Sequence, residues 1–339
     1  MSAGGELGLS VVVATDGFDA IEELVAALEA QSARDRLELV VVAPSLERLA
    51  MPERAREGLA AVRVVEAGEA HFELLYRARA AGVRAASAPV IVFAETHCFP
   101  EPEWAEALIE AHEGDWTGVC PAFLNANPSG TISWSNLVID YGRWLAPGKE
   151  GPVTEVPGHN SSFKRAALLE YGPRLDELIV QDKMLIDDLA ANGHRFYFAP
   201  AARSRHLNVD RPKSWLVERF VIGRTFAATR AADWPWSRRL LYAVASPLIP
   251  FVRLRRVRRD VQEAGYAEQL LPGILPALCA GLGAGAVGEF LGYAFGPSER
   301  AVRRMSEIEV RRLEHVRPRS GKTTEKPQRV ASAGSLDAG

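Results

Sequence analysis

The chain is poor in cysteine and close to balance in charge. Its 339 residues hold three cysteines, Cys98, Cys120 and Cys279, whose spacings match neither a metal knuckle nor a disulfide framework. A reducing compartment fits that usage. The formal net charge of -3 argues against a general nucleic-acid binder, so no nucleic-acid partner is expected. No GxGxxG follows the first predicted strand, which excludes a dinucleotide site at that turn, and no P-loop sequence occurs. The opening residues, MSAGGELGLS, lack a basic stretch and a long apolar run, so no signal peptide is expected. What the chain does have is apolar mass. Hydrophobic residues make up 47%, enough for a substantial core in one large or two medium domains.

That mass is patterned. Short β-branched runs at 9–14, 37–42, 62–65, 90–94 and 116–120 predict five strands. Between them, Ile21, Leu24, Val25 and Leu28 recur at helical spacing, as do Ala105, Leu108, Ile109 and His112. Residues 72–86 read as a further helix carrying Arg77, Arg79 and Arg84. Strands that alternate with helices imply parallel pairing with crossovers, an open α/β sheet.

In such sheets ligands bind outside the carboxyl ends of the strands. The fourth strand runs straight into Glu95-Thr96-His97, followed by Pro100, Pro102 and Trp104. An acid and an imidazole there can sit beside a metal-bound diphosphate. Read alone, the stretch is also a plain strand end with two solvated polar residues. Residues 125–157 break the periodicity with Gly, Pro, Ser and Asn, and with Trp134, Tyr141 and Trp144. They are expected to form a long loop or short hairpins, the kind of region that builds a substrate pocket. Local packing accounts for the aromatics equally. His159 and Asn160 occupy a turn, structural or ligand-contacting, and Ser162 is expected to cap a helix over 163–171. Asp182 opens a helix with Leu185, Ile186 and Leu189 on its apolar face and Gly193 at its end. A strand at 196–198 and His206 follow. An acid at a helix N-terminus is favoured by the dipole, so capping alone also explains Asp182.

Taken together these pieces resemble a family 2 glycosyltransferase of the GT-A fold, over roughly residues 9–206. The opening strand-turn-helix SVVVATDGFDAIEELVAALEAQ is similar to that family's start. Glu95-Thr96-His97, with Pro102 and Trp104, stands where the family carries an Asp-x-Asp-type motif. Gln181-Asp182, then Gly193, the 196–198 strand and His206 stand where it carries an acidic pair, a helix and a later His. The resemblance implies a GT-A-like open, mostly parallel sheet flanked by helices. It implies a nucleotide-sugar donor and a glycan or lipid-linked acceptor. A departing nucleoside diphosphate needs a divalent cation or cationic side chains. By resemblance that cation is Mn²⁺ or Mg²⁺, held by Glu95, His97 and His206. A carboxylate-imidazole set suits Mn²⁺. Asp16, Glu95 and His97 are assigned to the donor diphosphate, Asp182 to the base of an inverting transfer, and Trp134, His159 and Asn160 to the acceptor side.

The chain departs from the family at three places. The second strand ends Val42-Ala43-Pro44 where the family shows an Asp, His97 replaces an acid, and Gln181 replaces another. Two other classes therefore stand beside the transferase. One is a catalytically degenerate member acting as a membrane-bound binding or assembly subunit. The other is a nucleotidyltransferase, against which ATDGFDA is a poor match to a Gly-rich, basic first loop.

The C-terminal third is rich in Arg and aromatics. Arg219, Arg224 and Arg230 recur among apolar positions, as on an amphipathic helix. An apolar run at 240–252 is broken by Pro247 and Pro250 and flanked by Arg238, Arg239, Arg253, Arg255, Arg256, Arg258 and Arg259. It suits an interfacial or re-entrant element beside anionic lipid. Residues 270–295 are about long enough to cross a bilayer. Pro272, Pro276 and Glu289 leave open a single span, a membrane hairpin or a buried helical pair, and Gly281, Gly285 and Gly288 allow close helix packing. By the positive-inside rule the catalytic domain is expected on the cytoplasmic side of the cell membrane. The expected division is a transferase domain at 1–212, a helical membrane-associated region at 213–316, and a disordered tail at 317–339.

Overall fold

The computed structural model of the chain describes residues 6–68, 75–179 and 182–318. The expectation for Gln181 and most of that for the tail, residues 319–339, fall outside the described residues.

Among the described residues nine strands form one sheet: β1 Leu9–Ala14, β2 Leu37–Ala43, β3 Ala61–Glu66, β4 Val90–Ala94, β5 Cys98–Pro100, β6 Gly118–Asn125, β7 Gly151–Val153, β8 Ser162–Lys164 and β9 Phe196–His206. Their order is β3-β2-β1-β4-β8-β6-β9-β5, with β7 on β9. The first half is parallel, as the alternation predicts: β1 pairs with β2 and β4, and β2 with β3. Every residue of β1, β2 and β4 is buried, because helices cover both faces. The second half is mixed. β8 enters antiparallel between β4 and β6, β6 and β9 run parallel, and β5 and β7 lie antiparallel on β9. β5, β7 and β8 have three residues each, too few to show a period in the sequence.

The longer helices are α1 Glu22–Glu29, α2 Leu75–Ala85, α3 Trp104–Ala111, α4 Thr131–Tyr141, α5 Asp182–Ala191, α6 Pro212–Arg230, α7 Trp236–Ala245, α8 Ile249–Glu263, α9 Ala267–Phe295 and α10 Glu299–Val310. Two local expectations are corrected. Residues 125–157 are not all loop, because α4 fills their middle. Its polar residues disguise it: Ser133, Ser135 and Asn136 are buried, so the buried face does not read as apolar. Each finds a partner. Ser133 Oγ donates to Asn125 Oδ1 (2.9 Å), Ser135 Oγ to Thr131 O (2.8 Å), and Asn136 Oδ1 accepts from Trp215 Nε1 (3.2 Å). Nor does Ser162 cap a helix. It lies in β8, and its Oγ donates to Val119 O across the sheet (3.1 Å).

The C-terminal helices dock on α4. Arg219 of α6 grips Asp140 with both guanidinium arms (2.7 and 2.9 Å). Residues 270–295 belong to one continuous helix, α9, with Pro272 and Pro276 inside it. Residues 268–295 are long and apolar enough to cross a membrane, with a third of their most apolar stretch buried in the protein. α9 lies along α6 at backbone contact. A Cβ on Gly288 would fall 2.1 Å from Phe220 O, and one on Gly223 2.2 Å from Gly285 O. After α10 the chain folds back onto the sheet. The turn Arg312–His315 is tied to Asp210, Arg211 and Ser214, and Val316 joins the core under β1.

Candidate active site

The site forms where β4 and β9 end. β9 ends at His206, paired across to Cys98, so its imidazole reaches the turn that carries His97. The two rings meet edge to face with centroids 4.9 Å apart. Glu95 follows β4 directly. Its Oε2 lies 3.2 Å from His206 Nε2 and 3.8 Å from His97 Nε2, and the three ligand atoms fall within 4.8 Å of one another. All three side chains are buried.

Glu95 is held from several sides. Asn160 Nδ2 donates to its Oε2 (2.6 Å), and Asn160 Oδ1 accepts from its backbone N–H (3.0 Å). Tyr141 Oη donates to the same Oε2 (3.1 Å). His159 Nδ1 stands 3.8 Å from Oε1 and accepts from the buried Arg79 of α2 (2.7 Å). Burial alone would raise the Glu95 carboxyl. The His159, His97 and His206 rings outweigh it and hold the group well below the usual carboxylate range. His97 is pushed well below the ordinary imidazole value by burial, then by the Arg312 charge.

The donor set fits a divalent cation. His206 Nδ1 lies 2.8 Å from Asn208 Oδ1, and Asn208 Nδ2 donates to His206 O and Asn125 Oδ1. The amide oxygen therefore accepts and Nδ1 carries a proton. Nε2 is left facing Glu95 Oε2 at 3.2 Å, a contact that needs a proton or a cation between the two atoms. His97 Nε2, also buried, has no hydrogen-bond partner. One carboxylate and two imidazoles aimed at a common point form a donor set that a divalent cation can use.

Two cavities meet at this cluster. The larger, about 400 Å³, is lined by Glu95, Tyr141, His159 and His206 on the sheet side and by Arg219, Arg256 and Glu309 on the helical side. The smaller, about 330 Å³, is lined by Asp16, Arg48, Thr96 and His97. Arg312 lines both and stands between them, while Arg311 lines the smaller one. Arg312 is buried and ion-paired to Glu218 and, at 2.9 Å, to Glu309. Burial, then the nearby Glu95 charge, pushes the Glu309 carboxyl up to about 7.

Each residue singled out in the sequence has a place. Glu95, His97 and His206 converge. Asp16 lies on the smaller cavity, 3.6 Å from Arg48 and from Arg311. Asp182 heads α5, whose Lys183 and Ile186 line the larger cavity; its side chain lies outside the described residues. His159 lines that cavity, whereas Asn160 is spent on Glu95. Trp134 is not brought to either cavity: its Nε1 donates to Pro128 O, and its ring packs near Tyr266. Sequence reasoning missed Arg79, Glu309 and Arg312. A buried arginine inside a helix and an Arg-rich stretch beside the tail carry no motif, and only the fold brings them to Glu95.

Residues 10–172 match the model of glycosyl transferase family 2. No significant sequence match occurs among curated proteins. Among solved structures, TarS 1–349 of S. aureus in complex with UDP is 16% identical, covering 84% of this chain and 91% of that one, with a TM-score of 0.44. A mannosyltransferase, PcManGT from Pyrobaculum calidifontis, in complex with GDP-Man and Mn²⁺, is 18% identical, covering 84% and 87%, with a TM-score of 0.46.

Proposed function

We propose that this chain, whose residues 10–172 match glycosyl transferase family 2, is a glycosyltransferase that transfers a sugar from a nucleotide-diphosphate donor, with inversion, to a glycan or lipid-linked acceptor at the cytoplasmic face of a membrane. The observation that carries this reading is the convergence of Glu95, His97 and His206 at the junction of two cavities. Glu95, His97 and His206 would hold a divalent cation, Mn²⁺ or Mg²⁺, which supplies positive charge to the departing diphosphate. The smaller cavity, with Asp16 and Arg48, is the donor side. Arg311 and Arg312 stand beside the diphosphate and add fixed positive charge there. The larger cavity is the acceptor side, with His159 on its wall. Asp182 accepts the proton of the attacking hydroxyl as the bond from the sugar to the diphosphate breaks. Asn160 and Tyr141 keep the Glu95 carboxylate aimed at the cluster.

The test is a panel of nucleotide-sugars screened by thermal shift with and without Mn²⁺, followed by transfer assays on the donor found. Bound donor raises the melting temperature as the logarithm of its saturation. Asp182→Asn should leave donor stabilisation within error and lower transfer by about 10²-fold or more. Glu95→Gln should remove the Mn²⁺-dependent part of the stabilisation. Transfer at the native rate in Asp182→Asn removes it as the base. A chain that binds no nucleotide-sugar under either condition is the binding or assembly subunit instead.

A further inference from the structure

Among the described residues, a long row of exposed large apolar side chains lies on α7 and α8. Trp236, Leu240, Val244, Leu248 and Val252 follow at four-residue intervals, with exposures between 52% and 77%. The backbone stays right-handed helical through Ser246 and Leu248, so the row runs unbroken from one helix into the next. Leu241 and Phe251 widen it. A soluble monomer rarely leaves such a patch bare. The flanks are cationic: Arg238 and Arg239 on α7, and Arg253, Arg255, Arg256, Arg258 and Arg259 on α8, against only Asp260 and Glu263. An apolar row edged by arginines is complementary to an anionic lipid surface, and much less so to a second copy of itself.

α8 has a second role. Arg253, Arg256 and Val257 line the larger cavity, the one that Glu95 and His206 also line. Most cations on that wall are already engaged: Arg143 with Glu155, Lys183 with Glu155 and Asp187, Arg219 with Asp140, Arg253 with Glu289, and Arg312 with Glu218 and Glu309. Arg256 has no ion-pair partner among the described residues. Asp260, the remaining acid at that end, is turned to Arg259 (3.3 Å).

We infer that the acceptor is a membrane lipid with a phosphate-bearing headgroup, which enters the larger cavity from the bilayer along α8, with its phosphate on Arg256 and its chain beside Leu248 and Val252. This rests on the reading of that cavity as the acceptor side. One helix then serves as both the cavity wall and the membrane contact, so the headgroup reaches the site without leaving the lipid surface.

The test uses the full chain in two binding measurements that need no donor. In co-sedimentation, the protein should bind vesicles of phosphatidylcholine with added phosphatidylglycerol, and not phosphatidylcholine alone. Phe251→Glu, at a 71% exposed position where the fold is not at stake, should abolish that binding. In calorimetric titration, octyl phosphate should bind about tenfold more tightly than octanol, the size of one charge-assisted hydrogen bond, and more tightly than inorganic phosphate, which lacks the chain. Arg256→Gln should remove the advantage over octanol, while Phe251→Glu keeps it. The inference is overturned if octyl phosphate binds no better than inorganic phosphate, if Arg256→Gln changes nothing, or if light scattering finds a dimer that Phe251→Glu splits and no vesicle binding. Failure of the underlying transferase reading shows separately, in the Asp182→Asn transfer assay.

Discussion

Replacing Asn160 tests how the Glu95 carboxylate is held. Asn160 is buried and sits in the left-handed region at φ 57°. Its amide donates to Glu95 Oε2 at 2.6 Å and accepts from the Glu95 backbone N–H at 3.0 Å. Its backbone N–H donates to Phe93 O (2.7 Å), a bond that any residue but proline keeps. Asn160→Gly suits the left-handed backbone but removes both side-chain contacts. It loses one charge-assisted bond and orphans one buried N–H, a cost of about 3 kcal/mol in all. Asn160→Ala loses the same contacts and adds a Cβ in a conformation that costs a further ~1 kcal/mol or more. The order of stability by urea unfolding should therefore be native, then Gly, then Ala. In both variants Tyr141 still donates to the carboxylate, which is held less firmly, so the Mn²⁺ concentration that half-saturates the thermal shift should rise. Costs below about 1 kcal/mol for both variants, or a glycine variant no more stable than the alanine one, would refute the account. So would unchanged Mn²⁺ dependence.

Two other predictions follow from packing and charge. A Cβ on Gly288 would lie 2.1 Å from Phe220 O and 2.8 Å from Arg224 N, both backbone atoms that cannot give way, whereas one on Gly283 meets nothing within 4 Å. Gly288→Ala should thus destabilise by about 3 kcal/mol or more, and Gly283→Ala should be neutral or stabilising by up to about 1 kcal/mol, measured by chemical denaturation. Glu309 gives a pH dependence. Its carboxyl is raised from 4.5 to about 7, so the fold favours the protonated form. Its contribution to stability is complete below the ordinary carboxylate range and is lost as pH rises through 7. The fall in stability from pH 5 to pH 8 should shrink by about 1–3 kcal/mol in Glu309→Gln, read from urea midpoints at each pH; an unchanged slope sinks the assignment.

What could be read in the sequence was what is local. A β-branched run ending in Glu95-Thr96-His97 announces a strand whose polar end has no place in a core, and β4 follows it within a residue. The parallel half of the sheet was legible for the same reason. The mixed half was not, because three-residue strands such as β8 are chosen by their neighbours. α4 hid because Ser133, Ser135 and Asn136 are buried and hydrogen-bonded, Asn136 to Trp215 of a distant helix, so the usual link between polarity and exposure fails there. The site was half legible. Glu95 follows β4, His97 precedes β5 and His206 ends β9, but Arg79, Glu309 and Arg312 reach the site from helices and turns whose local sequence says only that they are charged.

The wall between the two cavities has a consequence for the order in which the site is made. Glu95, His97 and His206 all belong to the sheet and are synthesised early, and domains generally fold in the order in which they leave the ribosome. Arg311 and Arg312 come after all of these, at the end of α10 and the start of the turn that follows it. Until that turn docks, the acid-imidazole cluster faces one open trough in place of two chambers. The segment after α10 is thus part of the candidate site, and a truncation before Arg312 would remove the side chain that both cavities share.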